Sequence, residues 1–205
     1  GGNVTTNGDQ STGYYLSNGN SSTIGSAATI SVTGNEANGV FVNGPSGNLT
    51  YNGNTTVDGD AAYGLIVDGN SNVNATGGTL TVKGTSGING TSSAANTNRG
   101  SAALVVTSGS NLSGGGLDVT ADVAGENSVG VYSAGSLTMN SANISAYDSG
   151  VNFFTDGGTI SVGNNGGKST VVTGTGTNKG ALLFYTPSGN ILLNGTVNAT
   201  VEGGS

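Results

Sequence analysis

Acidic side chains are the first place to look for chemistry in this chain. Asp58 and Asp60 stand two positions apart, Asp68 follows, and Lys83 comes later. Two carboxylates across a cleft can hydrolyse a glycosidic bond, and carboxylates on calcium beside a basic proton acceptor can cleave a polysaccharide by elimination. The spacing puts Asp58 and Asp60 at one corner and Asp68 at the next turn, near Lys83 one repeat on. Adjacent aspartates and a Gly-His-Gly segment, which would strengthen a carbohydrate-active site, are absent, so solvated corner acids are the favoured reading. Gly114-Gly115-Gly116-Leu117-Asp118 approaches a calcium-binding solenoid unit once but does not repeat. About ten Asn-x-Ser/Thr triplets match what this much Asn, Ser and Thr gives by chance, and carry no glycosylation assignment. No catalytic, cofactor-binding or metal-binding residue is assigned.

Composition narrows the classes further. The 205 residues include 40 Gly and 2 Pro, with no Cys, His or Trp, and only 7% are charged, against roughly 25% in ordinary globular domains. Without Cys there are no disulfides and none of the usual zinc sites. A net charge of −7 with four basic residues, Lys83, Arg99, Lys168 and Lys179, cannot build the cationic patch that nucleic acid requires and disfavours anionic membranes. No apolar run approaches the roughly 20 residues of a membrane span, and no charged-then-apolar leader opens the chain. Hydrophobic residues are 33% of the chain, which suits a thin, repetitive core better than a thick globular one.

The elements that must position any site are set by a repeat. Gly followed by an apolar run recurs at Gly13, Gly39, Gly64, Gly100, Gly130, Gly150 and Gly180, a spacing of about 28 residues, within the range of solenoids. Thr29-Ile-Ser-Val32, Thr79-Leu-Thr-Val82 and Thr159-Ile-Ser-Val162 alternate apolar and hydroxyl side chains, as half-buried strands do. Each repeat reads as one coil of about three short strands. The predicted fold is all-β, a right-handed parallel β-helix of about seven coils, forming one domain over 1–205. A polar excursion from Gly84 to Asn98 lengthens the third repeat. Asn-Gly pairs at Asn7, Asn18, Asn38, Asn43, Asn52, Asn89, Asn165 and Asn194 are expected to supply positive φ at corners. The same pairs suit hairpins, which makes an antiparallel fold the alternative. Neither end carries a cap over its coil edge, so the chain is expected to be part of a longer solenoid or one completed by a neighbour.

Period 2 then sorts the strand after each repeat Gly. With Tyr14, Val40, Leu65, Val131 and Val151 inward, Tyr15, Phe41, Ile66 and Tyr132 point outward, joined by Phe154 and Phe184 if the last strands stay in phase. Stacked about 5 Å apart, these six form an apolar strip that suits sugar stacking or protein contact. A reversed phase, or cover by loops or a neighbouring part of the parent, is the alternative.

The Gly-apolar repeats, the Thr-Leu-Thr-Val and Thr-Ile-Ser-Val strands, the Asn and Gly corners and the missing cysteines together resemble the passenger regions of Gram-negative autotransporters (type V secretion). That resemblance covers nearly the whole chain. It implies export through the outer membrane, cell-surface display, and roles in adhesion, aggregation or spacing, with a host or bacterial surface protein, a glycan or the chain itself as partner. The family's signal peptide and C-terminal membrane barrel are not in this sequence. Some passengers are serine proteases, and Asp148-Ser149-Gly150 resembles their nucleophile segment, but with no histidine a conventional triad cannot operate. A turn into a strand at Val151 is the expected role. The leading expectation is therefore a non-catalytic adhesive rod. A subunit of a self-assembling extracellular fibre is the second, and a carbohydrate-active β-helix enzyme the third.

Overall fold

Short runs rich in Val, Ile, Leu and Thr, punctuated by Gly and Asn, form strands that are too short to stand alone and hold only by stacking. A computed structural model describes residues 2–84, 100–124, 128–147, 149–163, 170–175 and 182–202. All its regular structure is strand. In chain order these are β1 (Asn3–Asn7), β2 (Thr12–Ser17), β3 (Ser21–Ile24), β4 (Thr29–Thr33), β5 (Asn38–Asn43), β6 (Asn48–Tyr51) and β7 (Asn54–Asp58). There follow β8 (Tyr63–Asp68), β9 (Asn72–Ala75), β10 (Thr79–Gly84), β11 (Ala102–Val106), β12 (Asn111–Ser113) and β13 (Asp118–Ala124). The last are β14 (Val129–Ser133), β15 (Ser136–Met139), β16 (Ser141–Tyr147), β17 (Val151–Val162), β18 (Thr170–Thr175), β19 (Leu182–Leu193) and β20 (Val197–Glu202). Among the described residues no helix is long and apolar enough to cross a membrane.

Every strand pairs in parallel with the strand one coil away, so the fold is a β-solenoid and the antiparallel alternative is excluded. One face is the eight-stranded sheet β1-β4-β7-β10-β13-β16-β18-β20. A second face stacks β2, β5, β8, β11, β14 and β17, and a third stacks β3, β6, β9, β12 and β15. The 12-residue strands β17 and β19 run through the intervening corner and join those two faces. The face that holds both β1 and β20 therefore has one rung more than the seven coils expected. Three strands per coil match the expectation.

Register is strict. The step between rungs is 26 residues from Asn3 to Thr29 and 25 from Asn54 to Thr79. It rises to 39 between Asp68 and Thr107, across the repeat that holds the polar excursion. Of that excursion only Gly84, the end of β10, falls among the described residues; 85–98 lie outside them.

Alternation along each strand makes the core. In β4 the burial runs exposed, buried, exposed, with Ile30 and Val32 inward. Ladder partners carry this up the axis as the columns Val4, Ile30, Thr55, Leu80, Val119, Ala142 and Thr6, Val32, Val57, Val82, Ala121, Ile144. The polar member Thr55 is buried, and its hydroxyl lies 2.8 Å from that of Tyr51, which also donates to the Thr79 carbonyl at 3.1 Å. Burial raises the Tyr51 pKa to about 12, opposed by the hydrogen bond with Thr55.

Two kinds of glycine shape the coil. Gly8, Gly34 and Gly59 take φ of 138°, 150° and 158° at one stacked corner, and a Cβ on Gly59 would meet the Gly34 carbonyl oxygen at 2.0 Å. Gly39, in contrast, sits inside β5 without positive φ. A Cβ there would meet the Gly64 oxygen at 2.5 Å and Thr55 Cγ2 at 2.6 Å, so the repeat glycine is a packing requirement. The corner role expected of Asn-Gly pairs holds at Gly8, Gly19, Gly44 and Gly195. It fails at Asn38 and Asn52, whose glycines make close backbone or side-chain approaches instead. Asn89 and Asn165 lie outside the described residues.

Two outcomes follow. Deleting residues 39–63 joins Asn38 to Gly64, the ladder partner of Gly39's position, and the protein should stay folded while shortening by about 4.8 Å; circular dichroism and small-angle scattering check both. Because the Tyr51 pKa is raised in the folded chain, only the unfolded chain ionises this phenol above pH 10, so stability should fall from there until pH reaches about 12. The expected loss is about 1.4 kcal/mol per pH unit. Denaturant titration across that window should show the slope, and Tyr51→Phe should remove it.

Candidate functional site

The sequence-predicted acids do not converge. Asp58 ends β7 and Asp60 lies in the corner after it, whereas Asp68 ends β8 on another face, where its Oδ1 accepts from the Thr107 hydroxyl at 2.6 Å. Lys83 is the ladder partner of Asp58 on one side and of Asp122 on the other. Among the described residues no three acidic side chains are grouped closely enough to hold a metal ion. Asp118, the end of the single calcium-like motif, has an oxygen occupied by Asn140 Nδ2 at 2.7 Å and the Ser141 hydroxyl at 2.6 Å. Its glycines serve the turn and the packing: Gly114 and Gly115 take φ of 88° and 64°, and a Cβ on Gly114 would meet the Ala75 oxygen at 2.4 Å. Ser149 is in a turn with φ of 75°, directly before β17 begins at Val151, and Asp148 lies outside the described residues.

The outward column is assembled as one file. Ladder pairing links Tyr15 to Phe41, Phe41 to Ile66, Ile66 to Val105, Val105 to Tyr132, Tyr132 to Phe154 and Phe154 to Tyr185. Tyr15 and Phe41 have ring centroids 5.2 Å apart, Tyr132 and Phe154 5.3 Å, and Phe154 and Tyr185 5.1 Å. Five of the six sequence-predicted residues, Tyr15, Phe41, Ile66, Tyr132 and Phe154, thus share one file.

Phe184 does not belong to it. It pairs with Phe153 in the inward column, the two rings stacked 5.7 Å apart, and Tyr185 takes the outward place. The cause is a one-residue offset between the last two runs: Val151, one residue after Gly150, pairs with Leu182, two residues after Gly180. Val151 pairs with Val129, so Asn152 stands where earlier coils have Gly130, and Phe153 is the partner of Val131. Val151 is therefore not the first inward residue; Phe153 is. Val105 was missed for the same reason, because Ala103 and not Gly100 occupies the glycine rung. Matching Leu104-Val105-Val106 to Leu65-Ile66-Val67, and Phe184-Tyr185 to Phe153-Phe154, is the signal that finds both.

Burial divides the file. Phe41, Ile66 and Val105 are buried, and with Tyr63 and Ala102 they form an apolar cluster separate from the axial core, with Tyr132 packed against it. Tyr15, on the first rung of this face, is 55% exposed and Tyr185, on the last described rung, 47%, each with a ladder partner on one side only; Tyr132 and Phe154, with partners on both sides, are half-buried. The accessible part is therefore aromatic and lies mainly toward β14, β17 and β19. Other outward columns are mainly polar: Thr5, Ser31, Thr56, Thr81, Thr120 and Asn143, followed in the ladder by Val171, on the eight-stranded face, and Asn48, Asn72 and Asn111 on the third.

Comparison with protein-family models, with curated proteins and with solved structures returns no match.

The division of the file predicts unequal mutational costs. Phe41→Ser should destabilise the chain by about 3 kcal/mol or more, as truncation of a buried ring does. Tyr15→Ser should cost less than about 1 kcal/mol. Urea denaturation of the two variants provides the comparison.

Proposed function

We propose that this chain is a non-catalytic, surface-displayed rod of an autotransporter-type protein that acts outside the cell in adhesion or aggregation. The observation that carries this reading is the contrast between the apolar outward file and the mainly polar columns around it. Accessible apolar side chains rimmed by polar ones mark a contact surface, and regular stacking gives a rigid element that can hold such a surface at a set distance. The absence of His and Cys from the sequence, and the separation of Asp58 and Asp60 from Asp68, favour display over catalysis. The Gly-apolar repeats and Thr-rich strands that resemble autotransporter passengers supply the proposed extracellular setting.

Beads carrying the chain should attach to bacterial or epithelial cells, or clump with one another, more than beads carrying an inert protein of equal charge. Tyr132→Ser combined with Tyr185→Ser should reduce that attachment at least severalfold while circular dichroism stays unchanged. Attachment no greater than the inert control across a broad cell panel, together with no clumping, would overturn the proposal.

A further inference from the structure

Ladder pairing runs without a register shift until β17 meets β19, where the regular pattern breaks between Phe154 and Asp156 and again between Asp156 and Thr159. Bulges of this kind re-aim side chains and concentrate beside functional sites. Here the break falls beside Phe154, a half-buried member of the aromatic file. Gly157 and Gly189, with φ of 85° and 97°, turn the two strands through the corner. Asp156 stands two residues beyond Phe154 on the same strand and is exposed, as Phe154 is in part. The Ser188 hydroxyl donates to Asp156 Oδ1 at 3.0 Å. An aromatic surface formed by Phe154 and Tyr185 is thus bordered by a carboxylate and a hydroxyl held together across two coils.

We propose, building on the adhesive reading above, that Tyr185, Phe154, Asp156 and Ser188 form a binding subsite for a neutral glycan. Each part matches that ligand class. A sugar ring has an apolar face that packs on an aromatic ring, and its hydroxyls need acceptors beside that face. A carboxylate offers about four acceptor positions, of which Ser188 uses one, and the serine oxygen can still accept. Charge separates neutral from acidic glycans. The chain carries −7 overall, Asp156 adds a negative group at the rings, and the one basic side chain among the described residues, Lys83, lies in β10 on the eight-stranded face. A uronate or sulfated glycan would meet repulsion from that carboxylate. Ring centroids 5.1 Å apart on successive rungs let consecutive sugars of one glycan chain meet consecutive rings along the rod.

The test uses the whole chain and a panel of neutral gluco-, manno- and galacto-oligosaccharides beside polyuronate and sulfated oligosaccharides. Binding is read by calorimetry and by tyrosine fluorescence, which no tryptophan obscures. At least one neutral oligosaccharide should bind, and the acidic ones should bind more weakly or not at all. Tyr185→Ala should weaken that binding about tenfold, and Asp156→Asn and Ser188→Ala severalfold. Tyr15→Ala, at the far end of the file, should leave it unchanged. If Tyr185→Ala perturbs the circular dichroism, the exposed Asp156 and Ser188 variants decide the matter. Absence of neutral-glycan binding, a preference for acidic glycans, or equal weakening by Tyr15→Ala would each overturn the subsite. Attachment of coated beads without any glycan binding would sink the subsite and leave the adhesive rod standing, whereas loss of both would remove the two together.

Discussion

The hydrogen bond between one coil and the next is the interaction on which everything else in this molecule depends. Strands of four to six residues such as β3 and β5 cannot bury enough surface to persist alone. Paired in parallel above and below, each satisfies its backbone and adds its apolar residues to a continuous axial core. The bonds do not stop at the strand ends. Gly8 N donates to Thr33 O at 2.8 Å, Gly34 N to Asp58 O at 3.0 Å and Gly59 N to Lys83 O at 3.0 Å. Carrying the ladder through this corner obliges Gln10, Glu36 and Ala61 to adopt left-handed φ of 60°, 54° and 51°. Such conformations cost roughly 1–2 kcal/mol each for residues with a side chain. Stacking holds them because neighbouring coils need the same turn.

This dependence also explains which parts of the molecule were legible in its sequence. Thr29-Ile-Ser-Val32 and Thr79-Leu-Thr-Val82 carry period-2 alternation directly, so the strands and their facing follow from that pattern, while parallel stacking was legible only in the spacing of the repeats, with hairpins the alternative. The phase of a less regular strand does not. Gly150-Val151-Asn152-Phe153-Phe154 begins with the repeat signature, yet Asn152 occupies the glycine rung, because the backbone ladder aligns residues by partner and is indifferent to which glycine starts the run. Between that run and the next the ladder pairs Val151 with Leu182, one residue out of step with Gly150 and Gly180, and a shift of one residue sends every side chain to the other face, which is how Phe184 left the outward file and Tyr185 entered it. The Asn-Gly pairs mislead in a related way. At Gly39 and Gly53 what matters is the absence of a Cβ against Thr55 or Ile24, a crowding between coils that a dipeptide cannot announce.

Burial along the outward file was beyond pattern for a different reason. Alternation tells which face of a strand a residue occupies, but not whether something lies over that face. Phe41 and Ile66, each with a ladder neighbour on both sides, are buried, whereas Tyr132 and Phe154, equally flanked, are half-buried, and Tyr15 on the first rung has a neighbour on one side only. Tyr63 and Ala102, members of the same cluster as Phe41 and Ile66, come from the strand starts, where the coil bends. The residues predicted as one surface are thus divided between a second small core and an accessible aromatic end.

Ladder geometry also accounts for a composition with so few charges. In-register stacking places equivalent side chains about 4.8 Å apart, so a charged residue repeated in every coil would sit against its own kind, and like charges directly opposite are destabilising. Where charge does enter a column here, its ladder neighbours differ. Lys83 lies between Asp58 and Asp122, Asp118 between Thr79 and Ser141, and Asp156 beside Ser188. In the corner column the Asn35 amide donates to Asp9 Oδ1 at 2.9 Å, and the Asp60 amide to Asn35 Oδ1 at 3.2 Å, so an amide side chain stands between two acids. Thr, Ser and Asn are the residues that tolerate such repetition, because a hydroxyl or carboxamide can bond its copy in the next rung, as Thr29 does with Asn3 at 2.7 Å. That rule explains the polar columns. It does not explain a file of Tyr, Phe, Ile and Val on an outward face, which gains nothing from water and must be either covered or placed in contact. Phe41, Ile66 and Val105 are covered; Tyr132 and Phe154, half-buried beyond them, are where the contact proposed above would fall.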